Sequence, residues 1–194
     1  MERSTKHQMV ISRTVQLSVL SAFSYILMFI SMPIIPFVPW MKIDLSDIPI
    51  LMATVVFGPV SGIIVAGIKA VLYWITTGAS IINFIGVAAA FISSLTLILG
   101  YELVARLTRK FKKWAQNLTM IISMTLSITI VMTVLNWLFV LPLYMQLMNM
   151  KLSVPLNVVL LYGVAPFNII KGIIVTIIFL LLKDHLLPAF KRNH

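Results

Sequence analysis

The chain has 194 residues, of which 60% are hydrophobic and only 10% charged, and its formal net charge is +10. A soluble protein of this size cannot bury so much apolar surface, so a bilayer must act as solvent. Cysteine is absent, which excludes disulfides, iron–sulfur clusters and thiol catalysis; the three histidines, His7, His185 and His194, lie near the chain ends, which excludes a histidine metal centre in the core.

Apolar runs near twenty residues, enough to cross about 30 Å of hydrocarbon, place six helices. The first covers Met9 to Ile30. It is too long for a signal-peptide core and no small-residue cleavage site follows, so it reads as a retained transmembrane helix. A proline-rich stretch, Ser31 to Pro49, follows and reads as a lid over a small-molecule pocket. The second helix, Ile48 to Phe57, is short and ends at Gly58-Pro59, where a tight turn or kink is expected because proline breaks the helix ladder. The third runs from Val60 to Thr76, the fourth from Ile81 to Leu107, the fifth from Ala115 to Met145 and the sixth from Asn157 to Leu182. The expected fold is all-α, a single transmembrane domain over residues 1–194.

Charge gives the orientation. Arg3, Lys6, Arg13, Arg106, Arg109, Lys110, Lys112, Lys113, Lys183, Lys191 and Arg192 fall on one side of the six spans, against Lys42 and Lys151 on the other. By the positive-inside rule both termini are cytoplasmic, and the proline-rich loop is external. Basic residues that flank apolar spans argue for a lipid bilayer as partner and against nucleic acid. There is no Walker A pattern, so the chain is not expected to hydrolyse ATP by itself. No internal repeat is visible, which gives no support to an inverted-repeat transporter.

Two lysines fall inside spans, Lys69 and Lys171. A lysine near the bilayer centre costs at least about 2.5–3.5 kcal/mol on insertion scales and is a functional candidate by default. The competing reading is snorkelling or bonding to backbone carbonyls. Lys69 could pair with Glu102 or an external aspartate, or contact a partner protein. Asn168 shares a helical face with Lys171, and Pro166 frees a nearby backbone carbonyl. Helix five carries a polar stripe, Thr125, Thr129, Thr133 and Asn136, on one face. By rise per residue Asn136 lies roughly 14 Å below Met145 and Lys171 roughly 21 Å below the start of helix six, a similar depth if helix six starts above the membrane surface. Asn136, Asn168 and Lys171 either converge on one ligand or form an interhelical network, worth about 0.6 kcal/mol per contact. Asn83, at the start of helix four, is a further candidate, with Trp40 and Met41 as apolar cover. Asp44 and Asp47 resemble a catalytic pair, but DLSDIP also reads as a helix start, and Asp47 is expected to be an N-cap. An intramembrane enzyme and a channel are therefore the weaker readings. Small residues at Gly58, Gly62, Ala66 and Ala70, and at Gly86, Ala90 and Ser94, are expected to pack helices together.

The stretches PFVPWMKIDLSDIPILMATVVFGPVSG (36–62) and LYGVAPFNIIKG (161–172) resemble the substrate-binding S components of energy-coupling-factor (ECF) vitamin transporters, in particular their riboflavin-specific members. The resemblance covers the whole chain. It implies a six-helix fold, capture of riboflavin at the outer face, and a complex with a transmembrane coupling protein and two cytoplasmic ATPases. It implies no cofactor and no enzymatic activity, with riboflavin as the transported ligand. Transport would proceed by tipping of the S component, with Ser18 and Ala22 on helix one in the docking positions. An S component for another vitamin, or a stand-alone facilitator, is the alternative.

Overall fold

A computed structural model describes residues 2–36, 38–149, 152 and 154–192, with side chains from 13 to 185 within that set. Lys151 and His194 lie outside the described residues, as do the side chains of Arg3, Lys6, His7, Lys191 and Arg192. The chain folds as α1 (Glu2–Phe29), a two-residue strand pair β1 (Met32–Pro33) and β2 (Lys42–Ile43), α2 (Asp47–Phe57), α3 (Pro59–Thr76) and α4 (Ile81–Leu107). Then come α5 (Lys113–Leu135), α6 (Leu141–Leu147), α7 (Leu156–Val159) and α8 (Ala165–Arg192). A π-helical turn, Asn136–Val140, joins α5 to α6, and another, Leu160–Val164, joins α7 to α8. Among the described residues, four helical stretches are long and apolar enough to cross a membrane: Pro59–Thr76, Ile81–Leu107, Lys113–Leu147 and Leu156–His185. Arg13–Phe29 and Asp47–Phe57 are shorter apolar helices.

The two π-turns share a cause. Pro142 and Pro166 each stand two residues beyond a turn, and each lacks the N–H that the carbonyl four residues back, Leu138 or Tyr162, would accept. The proline ring also crowds that carbonyl, and a widened turn relieves the clash.

Helix α2 is the axis of the bundle. Every residue from Asp47 to Thr54 is buried. Its 11 residues span roughly 16 Å, about half the hydrocarbon thickness, so it is held by protein instead of lipid. The expected break at Gly58-Pro59 is a turn: Gly58 has φ 91°, a conformation that favours glycine, and Pro59 opens α3. Beyond it α3 returns close against α2, because a Cβ at Gly62 would sit 3.2 Å from the Ile50 carbonyl oxygen. Arg13 of α1 ties this turn down by donating to Ser61 Oγ at 2.7 Å and to the Phe57 carbonyl at 3.2 Å.

Along α5, Met120, Met124, Ile128 and Met132 recur every four residues and pack with Leu97, Val175 and Phe179. The opposite face carries Ile122, Leu126 and Ile130, all exposed, as a lipid-facing surface does. Helices α5 and α8 approach closely at Gly172, where a Cβ would fall 2.8 Å from the Thr125 Cα. Gly172→Ala is expected to lose about 1–3 kcal/mol through overpacking. Gly67→Ala, which adds its methyl to open space, is the control. Thermal unfolding in detergent checks both; equal midpoints would refute the close approach.

Candidate ligand pocket

Residues of α1, α3, α4, α5, α6 and α8 line a cavity of about 340 Å³. Its size lies at the small end of ligand sites. The proline-rich loop covers it. Val38, wholly buried, anchors that loop against Leu141, Val159, Leu160 and Val164, which belong to or flank the two π-turns. Strands β1 and β2, pairing Met32 with Ile43 and Pro33 with Lys42, close its base. From this lid Trp40 and Met41 line the cavity; Trp40 keeps 39% of its surface exposed.

The other sequence-selected residues line the same space. Asn83 comes from α4, Asn136 from the first π-turn, and Asn168 and Lys171 from α8. Asn136 and Asn168 are buried, and each donates its Nδ2 to the carbonyl four residues back: Met132 at 2.7 Å and Val164 at 2.8 Å. Each amide keeps its Oδ1 as an acceptor for a ligand. Asn83 Nδ2 donates to the Thr77 carbonyl, and its backbone N–H donates to Ser80 Oγ, which caps α4. The sequence reading did not single out Ser93, Tyr144, Phe167 or Met132, which also line the cavity. A signal for one of them existed: Asn83, Gly86, Ala90 and Ser93 are spaced three, four and three along one face of α4. Gly86 and Ala90, expected to serve helix packing, therefore make room in the cavity wall; Gly62 and Ala66 are buried in the core as expected. Ser93 Oγ is buried with no hydrogen-bond partner among the described residues.

Beneath the cavity lies a cluster of charges. Lys171 Nζ is 2.9 Å from Asp47 Oδ2. Ser94 Oγ donates to Asp47 Oδ1 at 2.6 Å, and Lys69 Nζ stands 3.8 Å from that same oxygen. Lys69 also donates to Ser46 Oγ at 3.1 Å and Ser94 Oγ at 3.3 Å. The expectation that Asp47 caps α2 is corrected. Ser46 occupies the cap position, and Asp47 is the first helical residue, 1% exposed and bound to both intramembrane lysines. An exposed cap was not available to it because α2 starts inside the bundle. Asp44 does the shaping instead, accepting the Ser46 N–H at 2.8 Å. Lys69 pairs with an aspartate as one of its expected alternatives; Glu102 pairs with Arg106 at 3.4 Å.

The family described as "ECF transporter, substrate-specific component" matches residues 12–183. The chain belongs to this family. It is 37% identical to a protein named riboflavin transporter RibU from Staphylococcus aureus (strain TCH60), with 93% of each chain covered. It is 32% identical to riboflavin transporter FmnP of Bacillus subtilis (strain 168), over 95% of this chain and 97% of that one. A solved structure described as the S component of a bacterial ECF transporter superposes with a TM-score of 0.75 at 35% identity, covering 93% of this chain and 98% of the other. As an ECF S component the chain is a multi-pass membrane transport component and not an enzyme.

Proposed function

We propose that this chain captures riboflavin at the outer face of the cell membrane for ATP-driven import. The observation that carries this reading is the convergence of Asn136, Asn168 and Lys171 on one loop-covered cavity whose walls mix apolar and polar side chains. Riboflavin has a flat, largely apolar ring with a carbonyl- and nitrogen-bearing edge. Trp40, Met41, Met132 and Phe167 supply apolar and aromatic surface for the ring. The two amide oxygens accept from its N–H groups and hydroxyls, and the Lys171 ammonium donates to its carbonyls. The names of the two relatives support the same ligand.

In this reading the chain is one domain of six spans with both termini cytoplasmic. The ion pair of Lys113 with Asp184 at 3.0 Å supports one part of this, the placement of the start of α5 and the C-terminal third of α8 on the same side. The partners are a transmembrane coupling protein and two cytoplasmic ATPases. Ser18 and Ala22 lie exposed on α1 beside Val15, Val19 and Phe23, a surface suited to docking the coupling protein. Liposomes test the assignment. The chain alone is expected to bind riboflavin without accumulating it, and accumulation is expected to need the ATPase module and ATP. Sustained uptake by the chain alone would overturn the subunit reading in favour of a facilitator.

A further inference from the structure

Lys69 is a buried cation that the pocket does not use directly. It is 1% exposed, and it is not among the residues lining the cavity. Burying an ammonium group this deeply is costly unless it is paired and hydrogen-bonded. Its polar contacts among the described residues are Ser46 Oγ, Ser94 Oγ and Asp47 Oδ1. Ser94 passes the interaction on by donating to the same Asp47 oxygen. Asp47 Oδ2 faces the other way, toward Lys171, which does line the cavity.

The formal charges are two cations against one anion. If Lys69 were apolar, Asp47 would fully neutralise Lys171, and the floor of the cavity would carry no net charge. With Lys69 behind it, the carboxylate is shared, and one positive charge is left for whatever occupies the cavity. Asp44, which also lines the cavity, adds a negative charge that acts on both lysines, but it is present in every variant compared below, so the difference of one charge at Lys69 remains. In a low-dielectric interior such a charge acts strongly on a ligand in contact with it.

We propose that Lys69 is a positioning residue for ligand recognition: by holding Asp47 from behind, it leaves the charge of Lys171 directed at the ligand and tunes the site toward an acceptor-rich or anionic edge. The inference rests on the flavin reading of the pocket. For a flavin it has a readout that packing alone does not move. Two-electron reduction at neutral pH, with uptake of one proton, gives a singly anionic ring system, and a fixed positive charge beside the ring stabilises that form over the neutral oxidised one. Wild-type protein therefore binds reduced riboflavin more tightly, relative to oxidised riboflavin, than a variant without Lys69.

The test is an anaerobic redox titration of riboflavin bound to the purified full chain, for wild type, Lys69→Met and Asp47→Asn/Lys69→Met. Lys69→Met is expected to lower the reduced-to-oxidised affinity ratio about tenfold, a drop of about 30 mV in the two-electron potential. The double variant again carries one net positive charge at Lys171, and its potential is expected to return to within about 10 mV of wild type by the same conversion. A purely structural Lys69 would make the double variant no better than the single one. Lys69→Gln keeps donors for the Ser46 and Ser94 hydroxyls without the charge, and carries the same expectation should Lys69→Met fail to insert. A potential unchanged in the Lys69 variants, or a double variant shifted further than the single, overturns the proposal. Wild type that binds no riboflavin overturns the flavin reading itself, which is a separate outcome.

Discussion

Lys171→Met is expected to weaken riboflavin binding by between about ten- and a hundredfold, as loss of a hydrogen bond from a charged donor implies. The variant separates binding from folding for a specific reason. Lys171 is one of two cations on Asp47, so its removal leaves the Asp47–Lys69 pair formally neutral and still bonded through Ser94. Methionine keeps most of the side-chain length. The protein should insert and elute as wild type does, while fluorescence titration shows the loss. Normal affinity in a well-folded Lys171→Met protein would remove Lys171 from the site.

Asp47→Leu is expected to have the opposite balance, with stability lost first. The substitution leaves Lys69 and Lys171 buried with no counter-ion, and breaking a buried pair from one side costs about 3–5 kcal/mol. Ser94 would also lose the shorter of its two acceptors, keeping only the Ala90 carbonyl at 3.1 Å. Thermal unfolding in detergent, or the yield of folded protein from membranes, reads the effect. Asp47→Leu/Lys69→Met leaves a single cation and is expected to recover part of the loss. If Asp47→Leu unfolds at the wild-type temperature, the charge cluster is not what holds α2, α3 and α8 together at this depth.

Much of this architecture was legible because the bilayer imposes length. Helix α4 runs over Ile81–Leu107 as the apolar run indicated, with Ser80 capping its start. Helix α3 starts one residue earlier than read, since proline is suited to a first helical position. Of the breaks inside the last two helical stretches, only the carbonyl freed by Pro166 was read, and the π-turns themselves were not. Leu141-Pro142 and Ala165-Pro166 interrupt runs whose apolar character does not change, so hydropathy passes over them. Nor was the β1–β2 pair, which has two residues per strand and a proline in one.

At the site, residue chemistry selected side chains that the fold brings to one cavity. Amides and lysines inside spans are conspicuous because lipid penalises them. Asn136, Asn168 and Lys171 are far apart along the chain, yet they line one cavity. Asp47 was misread because DLSDIP fits a helix cap equally well, and only the fold brings Lys69 and Lys171 to it. Tyr144 and Phe167 carried no polar or positional signal that set them apart from other aromatics in an apolar helix.

The most direct test is a riboflavin titration of the purified chain in detergent, following flavin fluorescence and visible absorption beside the Lys171→Met variant. The expected result is about one flavin bound per wild-type chain, with quenched fluorescence, and much weaker binding by the variant. Wild-type protein that stays colourless and leaves riboflavin fluorescence unchanged would contradict the account.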